Sequence, residues 1–494
     1  MKYKLSCALV LLVMLSACDK YLAREPDNRA KLTDPAKVSQ LLASAYPQGS
    51  YMAFAEAMSD NAGDKGTGEA DVTNSAPYAF ENVPNSDQDS PDNYWYSCYA
   101  AIASANQALE ACNEATNTED YQSQKGEALV ARAYAHFMLV TLYAKPYDQS
   151  TAGSNPGVPY VTEPETVVNK QYSRGTVAEV YEKIEKDLLE GLPLLDDASY
   201  KVPRYHFTRT AANAFASRFY LYKKDYEKAV QYANASVPDL LPNLRPWNTT
   251  YQTYGINNLP AEYQKTTEPA NLLLMTCPSI YTYALSFIRY RYALTPEIQN
   301  EIFDTPLEVT GGDWAYITGY VGSQKNPGVP KLNYTDFAQD DPTSDFGLAY
   351  GTLCLFTTEE VLFNKAEANT YLGNYDAAIK DINLFLSTRL TGVTPGTLPA
   401  NRTVTQAKVR QHYNNDYSIQ EALVKYILEL RRIEFVHEGM RWFDILRYGL
   451  TVTHEFVGTG GVVTKTLEIG PDDKLRQLKL PNEVKLSGIT DLNR

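Results

Sequence analysis

Positive charge is scarce in this 494-residue chain: 45 Lys and Arg stand against 59 Asp and Glu, a net charge of −14. A chain with that balance is poorly suited to hold phosphate backbones, so no nucleic-acid partner is expected. Histidine is rarer still. The five, at positions 136, 206, 412, 437 and 454, are scattered, and no zinc-binding H-E-x-x-H helix occurs. Neither does the G-x-S-x-G elbow of serine hydrolases. The glycine-rich stretch 63–68 follows no strand pattern and lacks both phosphate-loop and dinucleotide spacing, so it reads as a flexible loop. The six cysteines form no CxxC pair. Cys98, Cys112, Cys277 and Cys354 can pair in an exported protein or stay as buried thiols. Beyond residue 18 no apolar run approaches the length of a membrane span. What remains, at 44% hydrophobic and 21% charged residues, is ordinary globular composition.

Tyrosine is abundant: 38 residues, against 16 Phe and 4 Trp. A ring with an apolar face and a polar tip suits helix seams and polar ligands alike. The N-terminus has Lys2 and Lys4 ahead of a short apolar run and ends in Leu15-Ser16-Ala17-Cys18. That is a secretory signal closing on a lipobox, with cleavage after residue 17 and acylation of Cys18. Residues 18–33 form a lipidated tether, and 34–494 a single domain anchored to a membrane rather than threaded through it.

Helical patterns recur at about 94–114, 121–144, 177–190, 208–235, 358–388 and 419–449. Capping boxes open three of them, at Thr176/Glu179, Thr357/Glu360 and Ser418/Glu421. Strand-like alternation is weak, near 271–292 and 461–469. The segments 221–230 and 371–379 both place a polar turn, a Tyr and a small residue between helical runs, as tetratricopeptide hairpins do. They are about 150 residues apart, so the hairpins are not a tandem array. The long stretch at about 236–356 holds Trp247, Tyr281, Tyr283, Trp314, Tyr316 and Tyr320, and is expected to fold as an irregular ligand-binding lobe.

Acidic chemistry is unpromising. Asp87, Asp89 and Asp92, like Asp340, Asp341 and Asp345, lack calcium-loop spacing and read as solvated loops. In helix 419–449, Glu434 is spaced to meet Arg431, Glu438 to meet Arg441, and Asp444 to meet Arg441 and Arg447. Arginine neighbours lower a carboxyl pKa, the opposite of what a general acid needs. No catalytic residue, cofactor or metal is therefore expected. Two aromatic sets beside amides and carboxylates are the ligand candidates: Asn93, Trp95 and Tyr96, and Asp313, Trp314 and Tyr316. Tyr281 and Tyr283 join them from the same lobe. Flat aromatic faces stack on the C–H faces of sugar rings, and the same surface holds an extended peptide. Trp95 serves equally as a core anchor for its helix.

Taken together the chain resembles the SusD/RagB family of outer-membrane nutrient-binding lipoproteins of Bacteroidetes. The resemblance rests on the lipobox, on Trp95 through Ala105-Asn106, and on Ala131-Arg132-Ala133-Tyr134. It also rests on Gly157-Val158-Pro159-Tyr160-Val161, Arg431–Phe435 and Glu438–Arg447. Met440 and Tyr448 depart from the commoner His and Trp. The resemblance implies a mainly α fold with tetratricopeptide-like helical hairpins packed against a loop-rich irregular lobe. It implies a lipid-anchored protein at the outer membrane, facing the cell surface. Its partner would be a SusC-like, TonB-dependent transporter, and its cargo oligosaccharides or, as in RagB-like members, peptides. It implies no enzyme. A tetratricopeptide-type assembly lipoprotein and a hydrolase are the other readings, and the aromatic loops and the missing catalytic constellation weigh against them.

Overall fold

The computed structural model describes residues 32–167, 169–339 and 347–494. The signal segment, Cys18, the tether through residue 31, and Asp340, Asp341 and Asp345 lie outside the described residues. Among those described, no helix is long and apolar enough to cross a membrane.

Helices dominate. In chain order the main ones are α1 (Pro35–Leu42), α2 (Met52–Met58), α3 (Pro91–Glu114), α4 (Gln122–Tyr143) and α5 (Val177–Gly191). Then come α6 (Arg209–Lys223), α7 (Tyr226–Ser236), α8 (Thr358–Tyr371) and α9 (Tyr375–Ser387). Last are α10 (Gln406–His412), α11 (Ile419–Glu434) and α12 (Met440–Tyr448). Full capping boxes form at Thr176/Glu179 and Ser418/Glu421, each worth about 1 kcal/mol. At Thr357 the hydroxyl accepts the Glu360 N–H, but the Glu360 carboxylate turns inward to Arg218.

The two similar segments become hairpins. α6 ends at Lys224, which adopts φ 65°, and Asp225 caps α7 by accepting the Lys228 N–H. α8 turns into α9 through Gly373 at φ 76°. In space α7 packs on α8, and Tyr226 stacks on Tyr371 with ring centroids 4.4 Å apart and planes 6° from parallel. Segments far apart in the chain are therefore consecutive layers of one helical stack, and the lobe is inserted between them.

The lobe carries a three-stranded antiparallel sheet in the order β1-β3-β2, from β1 (Asn271–Pro278), β2 (Tyr334–Gln339) and β3 (Gly347–Thr357). Leu274 faces Cys354 and Phe337 faces Ala349. β3 runs directly into α8 at Thr357, so sheet and scaffold share one continuous segment. A separate hairpin, β4 (Val452–Val457) and β5 (Val463–Ile469), follows α12. All four described cysteines are buried free thiols.

α8 is buried nearly all round, and its carboxylates pair with arginines from other elements. Glu360 takes Arg218 from α6, Glu359 takes Arg245 and Arg389, and Glu367 takes Arg447. Arg389 also donates to Glu434 from Nε and Nη2, each at 2.9 Å. These contacts correct the ion pairs expected within helix 419–449. Glu434 meets Arg389 rather than Arg431, Glu438 meets Lys331, and Arg441 meets Asp60. Asp444 keeps Arg447 but takes Arg431 in place of Arg441.

Arg389 draws Glu434 from another element, and a break in that helix separates Glu438 from Arg441. His437 and Gly439 adopt φ 73° and 72°. The Glu56 carboxylate of α2 accepts the His437 and Gly439 N–H groups at 2.9 and 3.0 Å. A Cβ on Gly439 would lie 3.1 Å from Met52 Cα, so the close approach of α2 requires glycine there.

Candidate functional site

After β1 the chain turns sharply at 279–285. Ala284 (φ 46°) and Leu285 (φ 62°) are consecutive non-glycine residues in the left-handed region, a conformation that costs roughly 1–2 kcal/mol per residue. Several contacts hold it. Asp89, fully buried just before α3, accepts the Ser279 hydroxyl at 2.8 Å and the N–H groups of Ile280 and Tyr281 at 2.7 and 3.0 Å. Burial pushes the Asp89 carboxyl up to about 6 even with those three donors. The Tyr281 ring is buried, and its hydroxyl donates to the His437 carbonyl at 2.9 Å. Ser286 Oγ donates to the Tyr283 carbonyl at 2.7 Å. Gly351 of β3 lets the buried Thr282 side chain lie directly against the strand.

This support leaves Tyr283 facing outward, 40% exposed. Its ring lies 5.2 Å from that of Tyr334 and 6.2 Å from that of Phe337. Residues three apart on a regular strand face opposite sides. A register shift between Tyr334 and Asp336 brings both rings of β2 to the same neighbour. Ile280 and Leu348 add exposed apolar surface from the adjoining turn and strand, and Thr335, Asp336 and Gln339 are exposed along β2. The result is an aromatic platform with amide, hydroxyl and carboxylate groups on the same strand. It is chemically suited to stacking on a ring and bonding its substituents. Among the described residues no cluster of His, Cys, Asp and Glu could hold a metal ion.

The other sequence candidates lie elsewhere. Trp95 is a core residue, 3% exposed, between Tyr99 and Tyr143, with ring centroids 4.9 Å from each. Of the two roles open to it, the fold uses it as a helix anchor. Asn93 is half-buried in the first turn of α3, where its N–H meets the Ser90 cap. Tyr96 is 38% exposed, but its hydroxyl donates to Glu483 at 2.7 Å. Tyr316 is buried, with its hydroxyl on Glu434. Trp314 is half-buried; its Nε1–H donates to the Phe303 carbonyl at 2.7 Å and its ring lies 5.7 Å from Tyr316. Asp313 is exposed, and its carbonyl accepts the Thr391 N–H.

Tyr283 is therefore the candidate that stands on the exposed platform, with Tyr281 as its buried support. Tyr334 and Phe337 escaped the sequence reading because β2 shows no apolar/polar alternation. The aromatic pair three residues apart, Tyr334-Thr335-Asp336-Phe337, was the only available signal.

Known proteins show the same architecture. A family profile described as starch-binding associating with outer membrane matches residues 20–221, and the SusD family profile matches residues 322–480. A SusD-like protein of Formosa agariphila is 24% identical over 407 residues, 72% of this chain and 71% of its own. A SusD-like carbohydrate binding protein from Bacteroides vulgatus superimposes with a TM-score of 0.66 at 16% identity, covering 92% of this chain and 97% of its own. A laminarin binding SusD-like protein gives 0.55 at 18% identity, over 84% and 92% of the two chains.

Proposed function

This chain belongs to the SusD/RagB family, and from that premise we infer that it captures oligosaccharides and passes them to a SusC-like, TonB-dependent outer-membrane transporter. The observation that carries the reading is the platform of Tyr283, Tyr334 and Phe337, held outward by a strained turn whose support is buried. Exposed aromatic groups on a rigid base lose little conformational freedom when a ligand stacks on them. The carbohydrate-binding relatives support sugar as the cargo. Cys18 is the lipid anchor in this reading, residues 18–33 the tether, and the protein faces the cell surface without catalytic activity of its own.

One observation favours a peptide cargo. Among the described residues β2 pairs only with β3, so its outer edge is open to an added strand. Calorimetric titration with polysaccharides, their oligosaccharides and mixed oligopeptides separates the two. Saturable binding of one glycan class, weakened by Tyr283→Ala and Tyr334→Ala, supports the sugar reading. Binding of peptides alone replaces it, and turnover of any glycan by the pure protein refutes the non-enzymatic role.

A further inference from the structure

A second tyrosine-rich site lies in the helical stack, built from elements that take no part in the platform. A cavity of about 270 Å³ opens between the end of α4, α5, the α6–α7 turn, α8 and α12. Its walls are rings. Tyr226 stacks on Tyr371, and Tyr147 leans on Tyr181 with centroids 4.7 Å apart. The Arg447 guanidinium lies over Tyr222, 4.7 Å from the ring centroid. The charged lining is already neutralised. Arg447 binds both Glu367 and Asp444, and Lys224 at the rim binds Asp148. Tyr448 donates to Glu367 at 2.6 Å.

Two lining groups are unspent. Arg447 Nε is buried without a partner, and Tyr222, only 7% exposed, makes no side-chain hydrogen bond among the described residues. Such groups are normally bonded to protein or to something that enters from solvent. Both border the cavity.

We propose that this cavity is a second ligand site that takes a single neutral sugar ring. Its size is just below the usual range for small-molecule pockets, which suits one ring and not a chain. The walls offer tyrosine rings with polar tips, rather than the aliphatic depth an apolar side chain would fill. With its ion pairs satisfied internally, the site has no net charge to recruit an ion. A hexose matches that set: apolar C–H groups for the rings, and hydroxyls for Tyr222, for Arg447 Nε and for the one spare lone pair of Glu367 Oε2.

The test uses the full chain in a non-glycosidic detergent, with Tyr283→Ala removing the platform. Saturation-transfer NMR is run with methyl glycosides of glucose, galactose, mannose and xylose. The site is expected to give saturable signals from at least one of them in that background. Tyr222→Phe removes only the hydroxyl and should weaken binding roughly fivefold, the worth of one hydrogen bond. Tyr226→Ala should abolish it, with the unfolding temperature checked for each variant. Signals indifferent to Tyr222→Phe and Tyr226→Ala overturn the proposal, and so does silence from all four glycosides in the Tyr283→Ala protein. Loss of oligosaccharide binding by wild type is a separate result, because it bears on the platform.

Discussion

Gly351→Ala isolates the support beneath Tyr283. A Cβ at position 351 would press on Thr282 Oγ1, with Thr282 Cγ2 at 3.0 Å and its Cβ at 3.1 Å. Thr282 is fully buried, so it cannot swing into solvent. Rotating its χ1 exchanges the hydroxyl and methyl but leaves its Cβ where it is. Overpacking of this kind costs about 1–3 kcal/mol. The strain falls on the residue before Tyr283, whose turn already holds two left-handed residues. Gly351→Ala should therefore lower the unfolding free energy by that amount, seen as a lower urea midpoint at unchanged m, and weaken glycan binding with it.

The control is Thr282→Ala. Thr282 Oγ1 is buried without a partner, so its loss relieves an unsatisfied hydroxyl while giving up one methyl, two effects of about 1 kcal/mol and opposite sign. That single change should be nearly neutral. In the double variant the two nearest clashing atoms are gone, and at least half of the Gly351→Ala loss should return. Urea unfolding of wild type, both singles and the double gives the coupling energy directly. Additive losses would refute the argument, because they would mean that the cost of Gly351→Ala comes from somewhere other than Thr282.

Tyr283→Ala should weaken oligosaccharide binding by roughly tenfold, about 1.4 kcal/mol, with thermal stability unchanged; calorimetry and a melting curve together check it. Arg389→Met strands the buried Glu434, leaves Glu359 with Arg245 alone, and should cost about 3–5 kcal/mol in urea unfolding, whereas Arg389→Lys should recover only part of it. Burial alone would raise the Asp60 carboxyl, but Arg432 and Arg441 outweigh it and hold it at about 2. A folded pKa below the unfolded one gives stability that is present above about pH 4 and lost as pH falls through 2, about 2 kcal/mol in all. Arg441→Gln should flatten that part of the stability–pH curve. Burial pushes the Cys112 and Cys354 thiols up to about 11 and about 12. Together with Cys98 and Cys277 they should resist a thiol reagent at pH 8 until the protein is unfolded.

Local chemistry was enough to mark the helices. Ser418 with Glu421, and Thr176 with Glu179, announce helix starts, because the groups they satisfy are within three residues. The likeness of 221–230 to 371–379 was visible for the same reason: each hairpin turn is made by its own residues. That Tyr226 would stack on Tyr371 was not visible, since the contact depends on α7 packing against α8 across the inserted lobe. The break before α12 was equally hidden. Helical spacing put Glu438 beside Arg441, but the chain unwinds at His437–Gly439 to receive Glu56 from the other end of the sequence. The ligand candidates show the limit most sharply. Trp95, Tyr281, Tyr283 and Tyr316 look alike as aromatic residues in polar surroundings, and period and composition cannot say which ring faces water. Tertiary packing decided it. Tyr143 closes over Trp95, Glu434 draws in the Tyr316 hydroxyl, and Asp89 with Gly351 turns Tyr283 outward, each through a residue distant in sequence.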